Sequence, residues 1–427
     1  MVKNKIRIFI KGAHNCYNFG DDAIFIAILY FLEKNLGLSE KNCQIYTEEN
    51  RNSVEKLNYK FDLKLKNGTK INEIFEPLNS YLKFLKLPKF VRLIFASFIL
   101  VVFFINIWFF RIFRKKVFFK GIITFFENLD IIHYIGGGYI TDRWKIRMIQ
   151  EYLTVNIAKR INPNLKIIGT GLGLGPFRFK ISLFFLKGFL NKFDYLFLRE
   201  QQSFDLVRKL NIKTYVKCCG DDALLLFPLF KDLKYKQPKL NKKVVGFNLK
   251  DFPDHNYIKV KKNIEKLLNL LQTENFEIKY FCFGQKPGPD DYNVLSNLDL
   301  KLTRDLIIYN PYKQGFYEFI KGLAKVNFGI GFAYHFSVIL SIMDIPSIAI
   351  YAGDYYRQKI AGAMKFFSNF SCVLNIDDIQ KSKIVSLIEK LITSTEKNSQ
   401  SQRVKSLYNN MLTEYISAYK QIITKKV

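Results

Sequence analysis

Short apolar runs recur along the chain. Each is followed by a Gly-rich or acidic loop, and often by a longer segment with apolar residues every three to four positions. Ile6–Ile10 precedes a Gly/His/Asn loop and the helical pattern Ala23–Leu36. Leu129–Ile135 ends in Gly136-Gly137-Gly138, and Leu165–Gly169 runs into the loop TGLGLGPF. Asp194–Arg199 precedes a helical pattern from about Gln201 to Leu210, and Tyr215–Cys218 leads to Gly220-Asp221-Asp222. Continuous apolar runs bounded by turn residues, alternating with 3.6-period segments, predict buried parallel strands joined by helices. A second series begins after Lys231–Lys243, a Lys-rich, Pro-containing linker. Here Val244–Leu249, Glu277–Phe283, Ala324–Ile330 and Ser347–Tyr351 are the strands, with a helix over Ile258–Gln272 and a helix start in GFAYHFSVILSIM. The expected fold is α/β: two Rossmann-like domains facing a cleft, residues 1–235 and 241–427. The polar helical tail Asp377–Lys425 is assigned to the second domain.

One segment interrupts the pattern. Leu93–Phe110, inside an insertion of residues 81–120, is uncharged and is flanked by Lys83, Lys86, Lys89 and Arg92 before and Arg111, Arg114, Lys115 and Lys116 after. As a helix it would cover about 27 Å, just enough for a thin hydrocarbon core. A single crossing would separate the first strand–loop–helix unit from the sheet it needs for burial. Cationic flanks on both sides also give no orientation bias. The expectation is therefore a membrane-associating helix that enters the inner leaflet without crossing it, with a buried core or interface helix as the other reading.

The length, 427 residues, suits two domains. Hydrophobic residues at 49% exclude wholesale disorder. Lys and Arg number 66 against 37 Asp and Glu, a net charge of +29. That excess points to an anionic partner: nucleic acid, a phospholipid surface or a phosphorylated substrate. The cations are dispersed and no recognised nucleic-acid module is present, so nucleic acid is not expected. Cysteines are scattered without C-x-x-C pairs or nearby His, which predicts reduced thiols and no metal site. The N-terminal apolar stretch is too short for a secretion signal, and a cytoplasmic chain is expected.

The loops after the strands carry the candidate chemistry. Gly12 to Asp22 (GAHNCYNFGDD) opens a helix, where free N–H groups attract anions; Asp21 and Asp22 either face that ligand or cap the helix. Gly136–Gly138, in GGGYITDRW, allow close backbone approach. Arg199 ends a strand at the sheet's carboxyl edge and is either an anion clamp or a partner of Glu200. His335 enters a helix after a buried strand, where it is either a general acid or structural.

In order, GxxxxxNxGDD, GGGYxxDxW, GxGxGPF, xRExxS, GDD and GxxxHxxxxL-xxxxxP resemble the polysaccharide pyruvyl transferase family from about Gly12 to Lys365. The resemblance implies a GT-B-like fold and transfer of the enolpyruvyl group of phosphoenolpyruvate onto two sugar hydroxyls. The products would be a pyruvate ketal and phosphate. It implies substrate binding by Asn18, Gly20, Asp21, Gly136, Gly137, Gly138 and Arg199, and catalysis by His335 as general acid together with Asp142. No cofactor or metal is implied beyond phosphoenolpyruvate as co-substrate. The acceptor would be a glycan or lipid-linked oligosaccharide of the cell surface, met at an anionic membrane on the cytoplasmic side. One position departs from the pattern: the family usually carries Arg two residues before the His, and here stands Ala333. Arg178, Lys325, Arg357 and Lys359 are candidates for the missing charge.

Two other functions stay open. A GT-B glycosyltransferase using a nucleotide sugar usually places a Glu in the second domain for the ribose, yet no Glu lies between Lys321 and Ile388. A non-catalytic glycan-binding relative is the other.

Overall fold

The computed structural model describes residues 5–12, 17–47, 52–68, 119–142, 147–235, 243–250, 257–286, 290–304, 306–367, 371–393 and 397–424, with Ile105 and Ile112. The segment Leu93–Phe110 otherwise lies outside the described residues, as do most of the linker Lys231–Lys243 and residues 13–16 of the first loop. Among the described residues no helix is long and apolar enough to cross a membrane.

Two parallel sheets form the frame. The first contains β1 (Ile6–Lys11), β2 (Cys43–Thr47), β3 (Leu65–Asn67), β4 (Ile131–Tyr134), β5 (Gly137–Ile140), β6 (Lys166–Leu174), β7 (Tyr195–Leu198) and β8 (Tyr215–Cys218). Its order is β3-β2-β1-β4-β6-β7-β8, with β5 pairing β6 beyond the end of β4. The second contains β9 (Val244–Asn248), β10 (Glu277–Phe281), β11 (Ile307–Tyr309), β12 (Phe328–Gly331), β13 (Ser347–Tyr351) and β14 (Ser371–Asn375), in the order β11-β10-β9-β12-β13-β14. Each sheet grows in one direction from its first strand and then reverses. The reversal falls between β1 and β4 in one and between β9 and β12 in the other. Crevices at such reversals, outside the carboxyl ends of the strands, are where open α/β sheets bind ligands. This two-domain α/β architecture matches the predicted class.

Three apolar layers hold the sheets. An outer layer of the first domain gathers Phe9, Ile132, Val155 and Phe189, and an outer layer of the second gathers Phe247, Leu267 and Ile350. The third runs through both domains, from Ile8 and Phe25 to Phe281, Phe319 and Phe336. Helix Phe19–Lys34 sits in the middle of it, which explains why its residues are apolar nearly all round. Phe19 meets Phe283 and Phe319 of the second domain, while Phe31 meets Tyr415 and Tyr419 of the C-terminal helix Lys397–Thr424.

That last contact corrects the expected domain membership of the tail. The C-terminal helix packs on the first domain. Tyr415 donates to Asp222 (2.7 Å), Tyr419 meets His133 (2.8 Å), and Tyr215 and Lys217 both reach Glu414. The polar composition that marked it as a tail conceals a buried stripe of Val404, Met411, Tyr415, Ala418 and Tyr419.

Candidate active site

The first loop joins the two domains. Asn18 pairs with Gly284 in an isolated antiparallel bridge, Phe19 N–H donates to the Phe283 carbonyl (2.7 Å), and Gln285 N–H donates to the Tyr17 carbonyl. Asn18 is the N-cap of helix Phe19–Lys34 and its amide also holds Asp21 (2.7 Å). Asp22, fully buried, accepts from the Tyr312 hydroxyl across the domain boundary (2.9 Å). The two acidic residues therefore divide: Asp22 joins domains, and Asp21 stays at the cleft.

The opposing wall comes from β12. Asn248, at the end of β9, accepts from Ala333 N–H (2.8 Å) and donates to the Phe281 carbonyl, so it sets the turn between β12 and helix Tyr334–Ile342. His335 emerges in that helix's first turn and lies directly on Gly20: a Cβ built there would stand 1.9 Å from His335 Nδ1. Glycine is required at position 20 by this close approach.

Around His335 the structure gathers a buried polar cluster. Asp221 Oδ2 is 3.6 Å from His335 Nε2 and 3.6 Å from Arg199 Nη1. Arg199 Nε is bound to Glu200 (2.6 Å), and its guanidinium lies 4.4 Å from the centre of the Tyr334 ring. Lys359 Nζ lies 4.9 Å from the same ring centre. Arg199 Nη1, Asp221 Oδ2, Tyr334 Oη and His335 Nε2 are all buried without a hydrogen-bond partner. Unmet buried polar atoms cost about 1–3 kcal/mol each, so such a cluster is suited to completion by a polar ligand.

Charge sorts the members. Burial alone would raise Asp221, but His335 and Arg199 hold it down at about 2, an anion. Burial opposes the charge on Arg199, yet Glu200, Tyr334 and Asp221 outweigh it and keep the guanidinium protonated. Desolvation lowers the half-buried Lys359 to about 7, with Arg199 and Lys250 adding repulsion. An anion brought to this pocket would meet one permanent cation and one lysine that gains its proton as the anion arrives.

Arg199 Nε pairs with Glu200, while Nη1 lies 3.6 Å from Asp221 without a hydrogen-bond partner. Gly20, Asp21, Arg199 and His335 come together, and a Cβ on Gly137 would lie 3.8 Å from Asp21. Three expectations are revised. Gly136 N–H donates to Asp222 (2.8 Å) rather than facing a ligand. Gly137–Ile140, with Gly137 and Gly138, form β5 instead of an open loop, Gly137 keeping a φ of 139° that only glycine tolerates. Asp142 accepts from the N–H groups of Arg178 and Phe179 and so anchors the start of helix Lys180–Leu190. Of the candidates for the missing charge, Arg178, Lys325 and Arg357 are exposed, and Lys325 precedes β12 at the opposite edge of the sheet. Lys359 alone of the four lies against Tyr334.

Sequence position alone marks neither Asp221 nor Tyr334 as a site residue. The only sequence signal for Asp221 was its place in the GDD motif. Asp222, next to it, belongs to a separate buried network beneath the site. It accepts from Gly136 N–H, Thr170 (2.8 Å) and Tyr415, and Thr170 continues to His133 (2.8 Å) and on to Tyr419. Burial lowers His133 to about 3, so it is neutral there. A cavity of about 430 Å³ lined by Lys166, Asp194, Tyr195, Tyr215 and Glu414 lies at the amino edge of the first sheet, away from both reversals. Among the described residues no group of three or more His, Cys, Asp or Glu is placed to hold a metal.

The family model for polysaccharide pyruvyl transferase matches residues 18–354. No curated protein matches the chain. Among solved structures it is similar to a glycosyltransferase from Rickettsia africae, at 14% identity over 98% of this chain and 99% of that one, with TM-score 0.54. It is also similar to S. aureus MnaA with UDP (11%, 98% and 97%, TM-score 0.55). A putative UDP-N-acetylglucosamine 2-epimerase from Listeria monocytogenes is similar as well (12%, 99% and 97%, TM-score 0.56). At these identities the likeness is one of fold.

Proposed function

On the premise that the chain belongs to the polysaccharide pyruvyl transferase family and is a transferase, we propose that it moves the enolpyruvyl group of phosphoenolpyruvate onto two hydroxyls of a cell-surface glycan precursor. The observation that carries this reading is the buried cluster of Arg199, Asp221, Tyr334 and His335 between the two sheet reversals. In the proposed reaction His335 Nε2 gives a proton to the methylene carbon of phosphoenolpyruvate. The neighbouring carbon becomes an oxocarbenium-like centre, and the first sugar hydroxyl bonds to it. The C–O bond to phosphate then breaks and the second hydroxyl closes the ketal, the first hydroxyl's proton returning to His335 and the second's leaving on the phosphate. Asp221, 3.6 Å from Nε2, orients the ring for that transfer. Arg199 Nη1 and Lys359 take the carboxylate and phosphate, so Lys359 supplies the charge that Ala333 lacks.

Phosphate release from phosphoenolpyruvate with glycan precursors tests this. His335→Ala should lower turnover about 10²–10⁴-fold. Lys359→Ala should weaken phosphoenolpyruvate binding, and adding Ala333→Arg should restore part of it. Protein that binds a nucleotide sugar and releases no phosphate with any precursor would overturn the reading.

The proposed location is the inner face of the cytoplasmic membrane, held peripherally through Leu93–Phe110. Deleting residues 89–116 should move the protein to the soluble fraction. Labelling of residues before Lys83 from outside intact cells would show that the segment spans instead.

A further inference from the structure

We propose that the outward face of helix Lys180–Leu190 docks on an anionic lipid bilayer. The helix has two apolar sides. Leu186, Phe189 and Leu190 face inward and are fully buried in the outer layer of the first domain. Facing outward, Phe179, Ile181 and Phe184 are 55%, 62% and 65% exposed, and Ile149 on the adjoining helix Arg147–Ile161 is exposed as well. Scattered single apolar residues are ordinary on a surface; three within six positions on one short helix are not.

The charged residues among them have one sign. Arg178, Lys180, Lys187 and Lys192 lie between Pro176 and Phe193, and that stretch contains no Asp or Glu. Arg178, Lys180 and Lys187 are exposed. Aromatic and aliphatic side chains in a stretch whose only charges are cations form the pattern of a helix lying in a membrane interface. Asp142, which holds the N–H groups of Arg178 and Phe179, fixes the start of the helix and so presents Phe179 from a rigid base.

Chain position agrees. Helix Lys120–Glu127 begins at the carboxyl edge of the first sheet, where helix Lys180–Leu190 also begins. Helix Lys120–Glu127 packs on Arg147–Ile161, which packs on Lys180–Leu190, so all three cover one face. The same edge carries the active-site cleft: β6 continues into Gly175-Pro176, and Gly173 abuts Arg199. Docking by this face would bring a membrane-borne acceptor to the cleft rim. That consequence rests on the proposed glycan transfer; the docking itself does not.

The test uses the full chain floated with vesicles of phosphatidylcholine alone or mixed with phosphatidylglycerol. The triple change Phe179→Ser, Ile181→Ser and Phe184→Ser should lower binding to the mixed vesicles by about tenfold or more. Lys180→Glu with Lys187→Glu should lower it by at least as much, and added salt should weaken the native chain. A polarity-sensitive fluorophore on Phe184→Cys should brighten with mixed vesicles and not with neutral ones. Phosphate release with a soluble acceptor should be unchanged in the triple variant, which separates this proposal from the catalytic one. Undiminished vesicle binding by the triple variant, or a fluorophore that stays dark while the protein floats, would overturn it. So would a triple variant that differs from the native chain only in oligomeric state.

Discussion

Asp221 and Asp222 are adjacent, both almost completely buried, and opposite in character. Asp221 turns to the cleft, where the adjacent His335 and the positive charge of Arg199 hold it ionised at about 2. Asp222 turns to the core, where its donors are the neutral Gly136, Thr170 and Tyr415; burial raises it to about 7, with the charge of Asp221 adding to the rise. Burial penalises both anions alike. What differs is whether a charge or only dipoles stand opposite, and that decides which carboxylate serves chemistry and which serves architecture. Loss of one partner matters on either side, but the losses should appear in different measurements.

The largest expected difference is in turnover. Asp221→Asn removes the anion beside His335 and should lower phosphate release by about 10²-fold, whereas Asp222→Asn should stay within about tenfold. Equal losses would erase the distinction between the two sides.

Gly20→Ala probes the cleft side by geometry. The new Cβ cannot coexist with the His335 ring, so helix Phe19–Lys34 or His335 must shift, at about 1–3 kcal/mol in urea unfolding, with reduced turnover. Unaltered stability and activity would show that the two elements are not in contact in solution.

On the core side, Tyr415→Phe removes one donor to Asp222 and should cost about 1–2 kcal/mol. The pH dependence sharpens this. Because the folded pKa of Asp222 is raised, its contribution to stability is complete below about pH 4, the unfolded value, and is lost as pH rises through about 7. Asp222→Asn should therefore gain stability on the native protein between pH 5 and pH 8. Asp291, also raised to about 7 by burial, leaves part of the slope in place. Asp221, lowered, contributes above about pH 4 and loses that contribution only as pH falls toward 2.

The smallest effect concerns Lys359. Native affinity for phosphoenolpyruvate should fall a few-fold as pH rises through 7 and Lys359 loses its proton. Lys359→Arg, which stays charged, should flatten that dependence. An identical profile in both would remove Lys359 from the donor pocket.

Local pattern and spacing determined a great deal here. Parallel strands buried on both faces must read as continuous apolar runs, so β1, β4, β9 and β13 were visible without a structure. The loops after them must contain glycine or a helix cap, so Arg199 and His335 stood out by position, each with a structural alternative, and Gly20 through the family resemblance. Contacts between segments distant in sequence carry no such signature. Nothing near Gly136 announces that its N–H will be held by Asp222, and nothing in GDD says that its two carboxylates face opposite ways. The C-terminal helix looked like a polar tail because its buried stripe is narrow, and only packing against Phe31 and Phe197 reveals its side. The outward Phe179, Ile181 and Phe184 carry no mark in the sequence for a related reason: an apolar residue at helical spacing does not say whether protein or something else covers it. Residue type and spacing set the elements and the chemistry they carry. Which buried charge meets a counter-charge, and which apolar face is left uncovered, is decided only by the tertiary structure, because desolvation and Coulomb energies depend on distances between elements rather than on order along the chain.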